Sequence, residues 1–308
     1  VRAVLVVNPQ ATSTTASGRD VLAAALASVL KLDVVETEHA GHAAESARDA
    51  VRDGADLVIA HGGDGTVNEV VNGMFEVAEP GDPSMPTLGV VPGGSANVFA
   101  RALGLPKDPV DATHHLMRAL ADRSTRRVGL GKADERWFTF NAGIGWDAEV
   151  VAEMERQRSR GREATPALYA RIALSCYFRM ARGEPKLTLQ IGDDEPSDLL
   201  HSVFVSNTDP WTYLGSTPVR MSPETSFDNG LGVFALTKTS VYPVLRHVAE
   251  MLRGRGKPHG RNSIQAADVP HLRVACTEPL RLQVDGDCLG ERSVVEFSSV
   301  PNALRVAV

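Results

Sequence analysis

Gly62, Gly63, Asp64, Gly65 and Thr66 open the string GGDGTVNEVVNG, directly after the apolar run Leu57–Ala60 and His61. Glycines lack the Cβ that would hold a phosphate away, and they reach backbone angles closed to other residues. A helix beginning just beyond them would turn its first amides and its positive dipole end towards the same anion. Thr66 followed by Glu69 fits a capping box, which predicts that helix from Val67. Asp64 is the outlier, because a carboxylate repels phosphate unless a cation lies between them. Mg²⁺ binds carboxylate and phosphate oxygens while keeping several waters, and so resolves the conflict. The plainer alternative is a glycine-rich turn whose Asp64 is solvated or caps a helix.

The pattern recurs at VVPGGSANVFARALGLP: an apolar strand, a Gly93–Gly94 turn, Ser95 as N-cap, and a helix over Ala96–Gly104. Two adjacent sheet edges would then offer glycine turns to one ligand. The P-loop string with its lysine is absent, so that route to a phosphate cradle is closed. Near the other end of the chain, LQVDGDCLGE sets Asp285 and Asp287 either side of Gly286. An acid so placed can take the proton of a hydroxyl attacking a phosphate, if it lies within hydrogen-bond reach. Read plainly, the same string is a hairpin turn with two exposed acids. In MSPETSFDNGLGVF, Asp228 precedes an Asn-Gly turn that needs no metal to form.

To position these residues, the first part of the chain alternates strands and helices. Strands are expected at Ala3–Pro9, in LDVVETE, at Leu57–Ala60 and at Thr87–Pro92, with helices at Gly18–Leu30, at Gly41–Gly54 and from Val67. Repeated units of this kind build a mostly parallel, doubly wound α/β sheet. Beyond residue 127 the pattern changes. RVGLGKADERWFTFNAGIGWDAEVV reads as paired strands, and Thr165–Gly183 as one helix. KLTLQIG, HSVFVSN, GVFALT, HLRVACT, LRLQVDGD and SVVEFSSV then read as separate strands. These predict an antiparallel sandwich or barrel. The expected division is 1–127 as an α/β domain and 128–308 as a β-rich domain, with the last strand, about 296–308, returning to the first.

The 308 residues suit two domains, and a net charge of −6 argues against a dedicated nucleic-acid binder. Cys176, Cys276 and Cys288 form no C-x-x-C pair and read as reduced thiols of a cytoplasmic protein. The opening VRAVLVVNPQ has no secretory-signal pattern, and no uncharged apolar segment reaches the ~18 residues of a membrane span.

Taken together, GGDGTVNEVVNG, the preceding Asn8-Pro9, the following PGGSANVFAR and the late VDGD resemble the diacylglycerol kinase and sphingosine kinase family. The match runs in order over nearly the whole chain, whereas GGDGT alone also occurs in NAD kinases and phosphofructokinases. The resemblance implies ATP- and Mg²⁺-dependent phosphorylation of a lipid hydroxyl such as that of diacylglycerol. It implies an NAD kinase-like first domain, a β-sandwich lipid domain, and an active site in the cleft between them. Asn8, Thr37, Gly62, Gly63, Asp64, Gly65, Thr66, Glu69, Gly94, Ser95 and Asn97 match its nucleotide-contacting positions. Asp64 matches the acid near the nucleotide's Mg²⁺. Asp285 and Asp287 match its Asp-Gly-Glu base string, with a shorter second acid. Asp228 and Leu231 match a structural Mg²⁺ element in which Asn229 here replaces an acid. Ser95 and Val98 stand where diacylglycerol kinases carry threonine and aspartate.

The same resemblance implies a lipid substrate met at the inner membrane surface by a peripheral, cytoplasmic enzyme. Two basic stretches could meet that surface: Arg156, Arg158, Arg160 and Arg162 within residues 153–163, and Arg246, Arg253, Arg255, Lys257 and Arg261. Both read equally as solvated faces. His39 and His42 lack the further ligands of a metal site. His114 and His115 read as ordinary helix residues, and Trp137, Trp146 and Trp211 as core or rim packing. Edge strands in the second domain would permit a homodimer. Two alternatives compete with a lipid kinase: a small-molecule kinase of the NAD kinase type, and a non-catalytic lipid- or nucleotide-binding regulator.

Overall fold

Short apolar strands alternate with capped helices through the first of two units, Val1–Leu130 with Pro301–Val308; the second is Gly131–Val300. The computed structural model describes residues 1–162, 165–252, 260 and 262–308. In unit 1 the order is β1 (Arg2–Val7), α1 (Ala16–Ala27), β2 (Lys31–Glu36), α2 (His42–Arg52), β3 (Leu57–Gly62) and α3 (Asp64–Phe75). There follow β4 (Thr87–Pro92), α4 (Val98–Ala102), α5 (Pro109–Asp122) and β5 (Thr125–Ala133), the last running into unit 2. The strands lie parallel in the order β4-β3-β1-β2. The chain end joins beside β4 in the same sense, with Val306 opposite Leu88.

Alternation along β1 separates the two faces. Ala3, Leu5 and Val7 join Leu22 and Leu26 of α1 and Leu116 of α5 in one core. α2 and α3 form a pair in close contact, with Ala43, Ala47 and Ala50 of α2 buried. Val51 is only half-buried. The approach of α2 to α3 depends on Gly73, since a Cβ there would stand 2.1 Å from the Ala44 carbonyl oxygen.

Unit 2 contains β6 (Arg136–Phe138), β7 (Asn141–Ile144), α6 (Trp146–Ser159), α7 (Pro166–Ala181), β8 (Leu187–Ile191) and β9 (Ser202–Ser206). Next come β10 (Thr212–Leu214), β11 (Thr217–Val219), β12 (Leu231–Leu236), α8 (Val241–Leu252), β13 (Ser263–Val269), β14 (His271–Val284) and β15 (Asp287–Ala307), whose residues from Pro301 on belong to unit 1. An antiparallel sheet runs β13-β12-β9-β7-β14-β15. β8 takes the first half of β14 and β7 the second. Its core includes Phe138, Ile144, Val203, Leu231, Leu272 and Phe297.

Several sequence expectations change. WDAEVV is not strand but the start of α6, because Gly145 at φ 95° breaks β7 and reverses the chain into a helix. Unit 2 therefore has helices at α6, α7 and α8. HLRVACT and LRLQVDGD form one long strand, β14, bridged by a register shift between Ala275 and Leu280. The Gly18–Leu30 helix begins earlier, at Ala16, where the Thr15 hydroxyl caps Gly18 N. Arg253, Arg255, Lys257 and Arg261 lie outside the described residues, as does Glu163.

Candidate active site

In unit 1, β3 and β4 end side by side, with Gly62 opposite Pro92. Gly93 N donates to Gly62 O at 2.7 Å, which extends the pairing into the turns. Here the lack of side chains is a steric requirement. A Cβ on Gly94 would lie 2.6 Å from Gly63 Cα, and one on Gly93 would lie 3.1 Å from Gly62 Cα. The two glycine tips foreseen from the sequence thus meet in one bare patch of main chain.

The capping expected around them is rearranged. α3 begins at Asp64 with Gly63 as its N-cap and no side-chain cap, so Thr66 lies inside the helix. The Thr66 hydroxyl instead accepts from Asn8 Nδ2 at 3.2 Å, tying the Asn-Pro corner to α3. Glu69 does not close a capping box on its own helix. Its carboxylate accepts from Gly41 N at 3.0 Å and Ala43 N at 3.3 Å, and so caps α2. This makes Glu69 a helix-pairing residue, because α2's own N-cap, Gly41, has no side chain to offer.

The second turn differs in the same way. Ser95 is exposed at the tip, and α4 starts only at Val98, after Asn97 in a left-handed conformation at φ 47°. The Asn97 side chain folds back on Gly94, accepting from its N–H at 2.9 Å and donating to its carbonyl at 2.6 Å. What caps α4 is Asp64, whose Oδ1 accepts from Phe99 N at 3.1 Å. The anomalous acid of the first turn is therefore anchored by the helix behind the second.

Thr37 follows β2 and donates its N–H to Val7 O at 2.8 Å, which puts it next to Asn8 at the same edge of the sheet. His61 went unnoticed in the sequence. It is 2% exposed, and its Nδ1 donates to Val91 O at 3.1 Å, leaving Nε2 to accept from the Thr14 hydroxyl at 3.4 Å. Burial lowers its pKa and keeps the ring neutral. Ser13 N also donates to Gly93 O, so residues 8–14 are strapped to the glycine patch.

In unit 2, Asp285 and Gly286 both take positive φ, 49° and 87°, and join β14 to β15 by a tight turn. The two acids fare differently. Asp285 is 3% exposed, so the picture of two exposed acids fails for it. Its Oδ2 accepts from the N–H and hydroxyl of Thr139, and its Oδ1 from the N–H groups of Phe140 and Asn141, at 2.7–3.0 Å. Burial raises its pKa, and these four bonds pull the other way. Asp287 is half-buried at the turn's exit.

Behind the turn lies a buried acid that the sequence reading passed over. Asp147, in the first turn of α6, is 4% exposed, and its Oδ2 accepts from Gln283 Nε2 at 2.5 Å. Burial pushes its pKa up to about 7. Gly143 makes room for it, since a Cβ there would sit 2.6 Å from Asp147 Oδ2. The small-residue run A-G-I-G before Trp146-Asp147 was the signal available in the sequence.

The Asp228 element forms a turn ahead of β12. Asp228 and Asn229 are exposed. Asn229 Nδ2 donates to Glu224 O at 3.2 Å, and Gly230 N to Asp268 Oδ1 at 2.7 Å. Leu231 has its side chain wholly buried in β12, so only its main chain could meet an ion. Among the described residues no cluster of three or more His, Cys, Asp or Glu could hold a metal. His39 and His42 stack ring on ring at 4.9 Å. Trp137 and Trp211 are buried, and Trp146 packs between Tyr177 and Phe204.

The chain is similar to known proteins along most of its length. Residues 2–133 match the diacylglycerol kinase catalytic domain. A diacylglycerol kinase of Bacillus subtilis is 28% identical over 306 residues, covering 93% of this chain and 89% of that protein. A diacylglycerol kinase of Staphylococcus epidermidis is 40% identical over 255 residues, covering 83% of this chain and 75% of its own length. The crystal structure of a diacylglycerol kinase from Bacillus anthracis aligns with a TM-score of 0.71 at 20% identity, over 99% of this chain and 96% of that one. At that identity the structural likeness speaks for the fold.

Proposed function

We propose, from the premise that this chain belongs to the diacylglycerol kinase family, that it uses ATP with Mg²⁺ to phosphorylate the free hydroxyl of a diacylglycerol-like membrane lipid. Family membership establishes a lipid kinase that transfers phosphate to an alcohol. That sets aside the small-molecule kinase and the regulator; the donor, the ion and the acceptor are our reading.

The observation that carries it is the contact of Gly63 with Gly94 beside Asp64. A triphosphate needs main-chain amides, a helix N-terminus and no intruding side chain, and these strand tips supply all three. Asn8, Thr37, Thr66, Ser95 and Asn97 ring the same edge of unit 1. Asp64 would hold Mg²⁺ there, and one carboxylate suffices for an ion that takes its other ligands from phosphate and water. Bound there, Mg²⁺ would neutralise charge on the phosphate oxygens during transfer.

Asp287 is our choice for the base. A base needs an oxygen able to approach the acceptor hydroxyl. Asp285 has four donors on its two oxygens and is buried, so it serves to shape the turn.

A lipid surface is our expected place of action. α7 exposes Leu174 and Phe178, flanked by exposed Arg171 and Arg179, and α8 exposes Val241, Tyr242 and Leu245. Tyr177 Oη donates to Thr239 O at 2.8 Å and brings α7 next to the residues leading into α8. Apolar side chains beside arginines suit anionic lipid, at about 1 kcal/mol per charge near the surface. No helix among the described residues is long and apolar enough to cross a membrane.

The test is incubation with γ-labelled ATP and either diacylglycerol micelles or a total lipid extract, with and without Mg²⁺. Label in a chloroform-soluble phospholipid, dependent on Mg²⁺ and lost in Asp64→Asn, supports the reading. Label in another lipid but not in diacylglycerol would correct the acceptor, and labelling independent of Mg²⁺ would remove the ion.

A further inference from the structure

Asp287 sits between two main-chain amides that side chains hold in place. On one side, Gly286 N donates to Gln283 Oε1 at 3.0 Å. On the other, Cys288 N donates to Glu155 Oε1 at 3.0 Å. Glu155 belongs to α6, and Gln283 leads there as well. Its Nε2 donates to Asn141 Oδ1 at 3.0 Å and to Asp147 Oδ2 at 2.5 Å. The amide cannot be flipped without loss, because Gly286 N–H must meet an oxygen and both acceptors must meet a nitrogen. A third link lies two residues after Asp147 on the helix, where Glu149 takes Arg281 Nη1 on both carboxylate oxygens at 2.7 and 2.8 Å. One helix is thus joined to the β14–β15 hairpin at Arg281, Gln283 and Cys288.

These links are more than the hairpin needs for pairing. The strands already bond to one another, with Val284 opposite Asp287 and Gln283 opposite Cys288. Asp285 has its own clamp from Thr139–Asn141. The bonds to Glu155 and Gln283 restrain instead the Asp287–Cys288 peptide unit and the Asp285–Gly286 unit just before the Gly286–Asp287 pair, and hence the direction in which the short Asp287 side chain points. An aspartate has two side-chain torsions with which to reach a hydroxyl, so backbone placement decides much of its aim. The buried Asp147 carboxyl is itself costly, which makes it an unusual choice for a residue with no more than a packing role.

We infer that α6 is the positioning element for the proton-accepting turn, with Gln283, backed by Asp147, and Glu155 as positioning residues that orient Asp287. This rests on the assignment of Asp287 as base, and the experiment separates the two.

Steady-state kinetics with ATP and diacylglycerol micelles would be measured for Gln283→Leu, Glu155→Ala, Glu155→Gln, Asp287→Asn and the double variant Gln283→Leu/Asp287→Asn. We expect Gln283→Leu and Glu155→Ala each to lower kcat by tenfold or more, with the KM for ATP changed less than twofold. Glu155→Gln keeps the acceptor oxygen and should recover most of the loss. In the Asp287→Asn background, Gln283→Leu should lower kcat no further, because its target is already gone; a merely structural role would add its loss in full. Unchanged kcat in both Gln283→Leu and Glu155→Ala beside an inactive Asp287→Asn overturns the positioning role alone, as do fully additive losses. Wild-type turnover by Asp287→Asn overturns the base assignment instead. Should Gln283→Leu fail to fold, the half-buried Glu155 pair, measured alone and with Asp287→Asn, decides the matter by the same comparison.

Discussion

Asp64 Oδ1 accepts the Phe99 N–H at 3.1 Å, so the acid of the first glycine turn caps the helix that follows the second. The cap holds the carboxylate beside the strand tips, and it gives Asp64 two separable duties. Asparagine keeps a capping oxygen and loses the charge; alanine loses both. Asp64→Asn should abolish kinase activity by a factor of about 100 or more while leaving thermal stability close to wild type. Asp64→Ala should be equally inactive and also less stable by about 1 kcal/mol, a drop of a few degrees in a chain of this size. Scanning calorimetry and the labelled-ATP assay on both variants check this. Full activity in Asp64→Asn would remove the acid from the ion site.

The Gly63–Gly94 contact has a steric consequence. An alanine at 94 would push its Cβ to 2.6 Å from Gly63 Cα, and main chain cannot swing aside as a side-chain tip can. Gly94→Ala should cost about 1–3 kcal/mol and spread the strand tips. The KM for ATP should rise at least tenfold, and urea denaturation should show the lost stability. A variant with unchanged ATP KM would place the triphosphate elsewhere.

The two acids of the late turn should respond differently to mutation. Asp285→Ala strands the buried N–H groups of Thr139, Phe140 and Asn141, at a cost on the order of 3 kcal/mol or more. Asp287→Asn leaves the Thr139–Asn141 clamp in place and should keep the denaturation midpoint near wild type while lowering kcat by a factor of about 100. The reverse pattern, with Asp287→Asn unfolding and Asp285→Ala stable but inactive, would exchange their roles.

Asp147 links stability to pH. Burial raises its pKa to about 7, above the value of about 4 in an unfolded chain. Between those values the folded state keeps a proton that the unfolded state has lost. Stability from this group is therefore full below about pH 4, falls as pH rises towards 7, and stays low beyond. Asp147→Asn cannot ionise, so its stability relative to wild type should climb from pH 5 to pH 7 and then level off. Urea titrations at pH 5, 6, 7 and 8 measure that difference; a flat difference would mean that Asp147 is ionised throughout.

What residue order alone determined here was local or repetitive: the strand–helix alternation of unit 1, both glycine turns, the lack of a lysine-bearing P-loop, and a family likeness carried by contiguous strings. Such features need only neighbouring residues and the short-range angles they permit. Partner choice belonged to the tertiary structure. Thr66 and Glu69 have capping-box spacing, yet Glu69 reaches across to α2, 26 to 28 residues back, because Gly41 left amides there without a cap. Asp285 and Asp287 are equivalent on paper and separate only when Thr139–Asn141 folds over one of them, about 145 residues away in sequence. Asp147 became visible only once β7 and β14 paired and left the space above Gly143 for a carboxyl. A side chain's hydrogen-bond partner depends on which distant donor loses water beside it, and that is decided by packing.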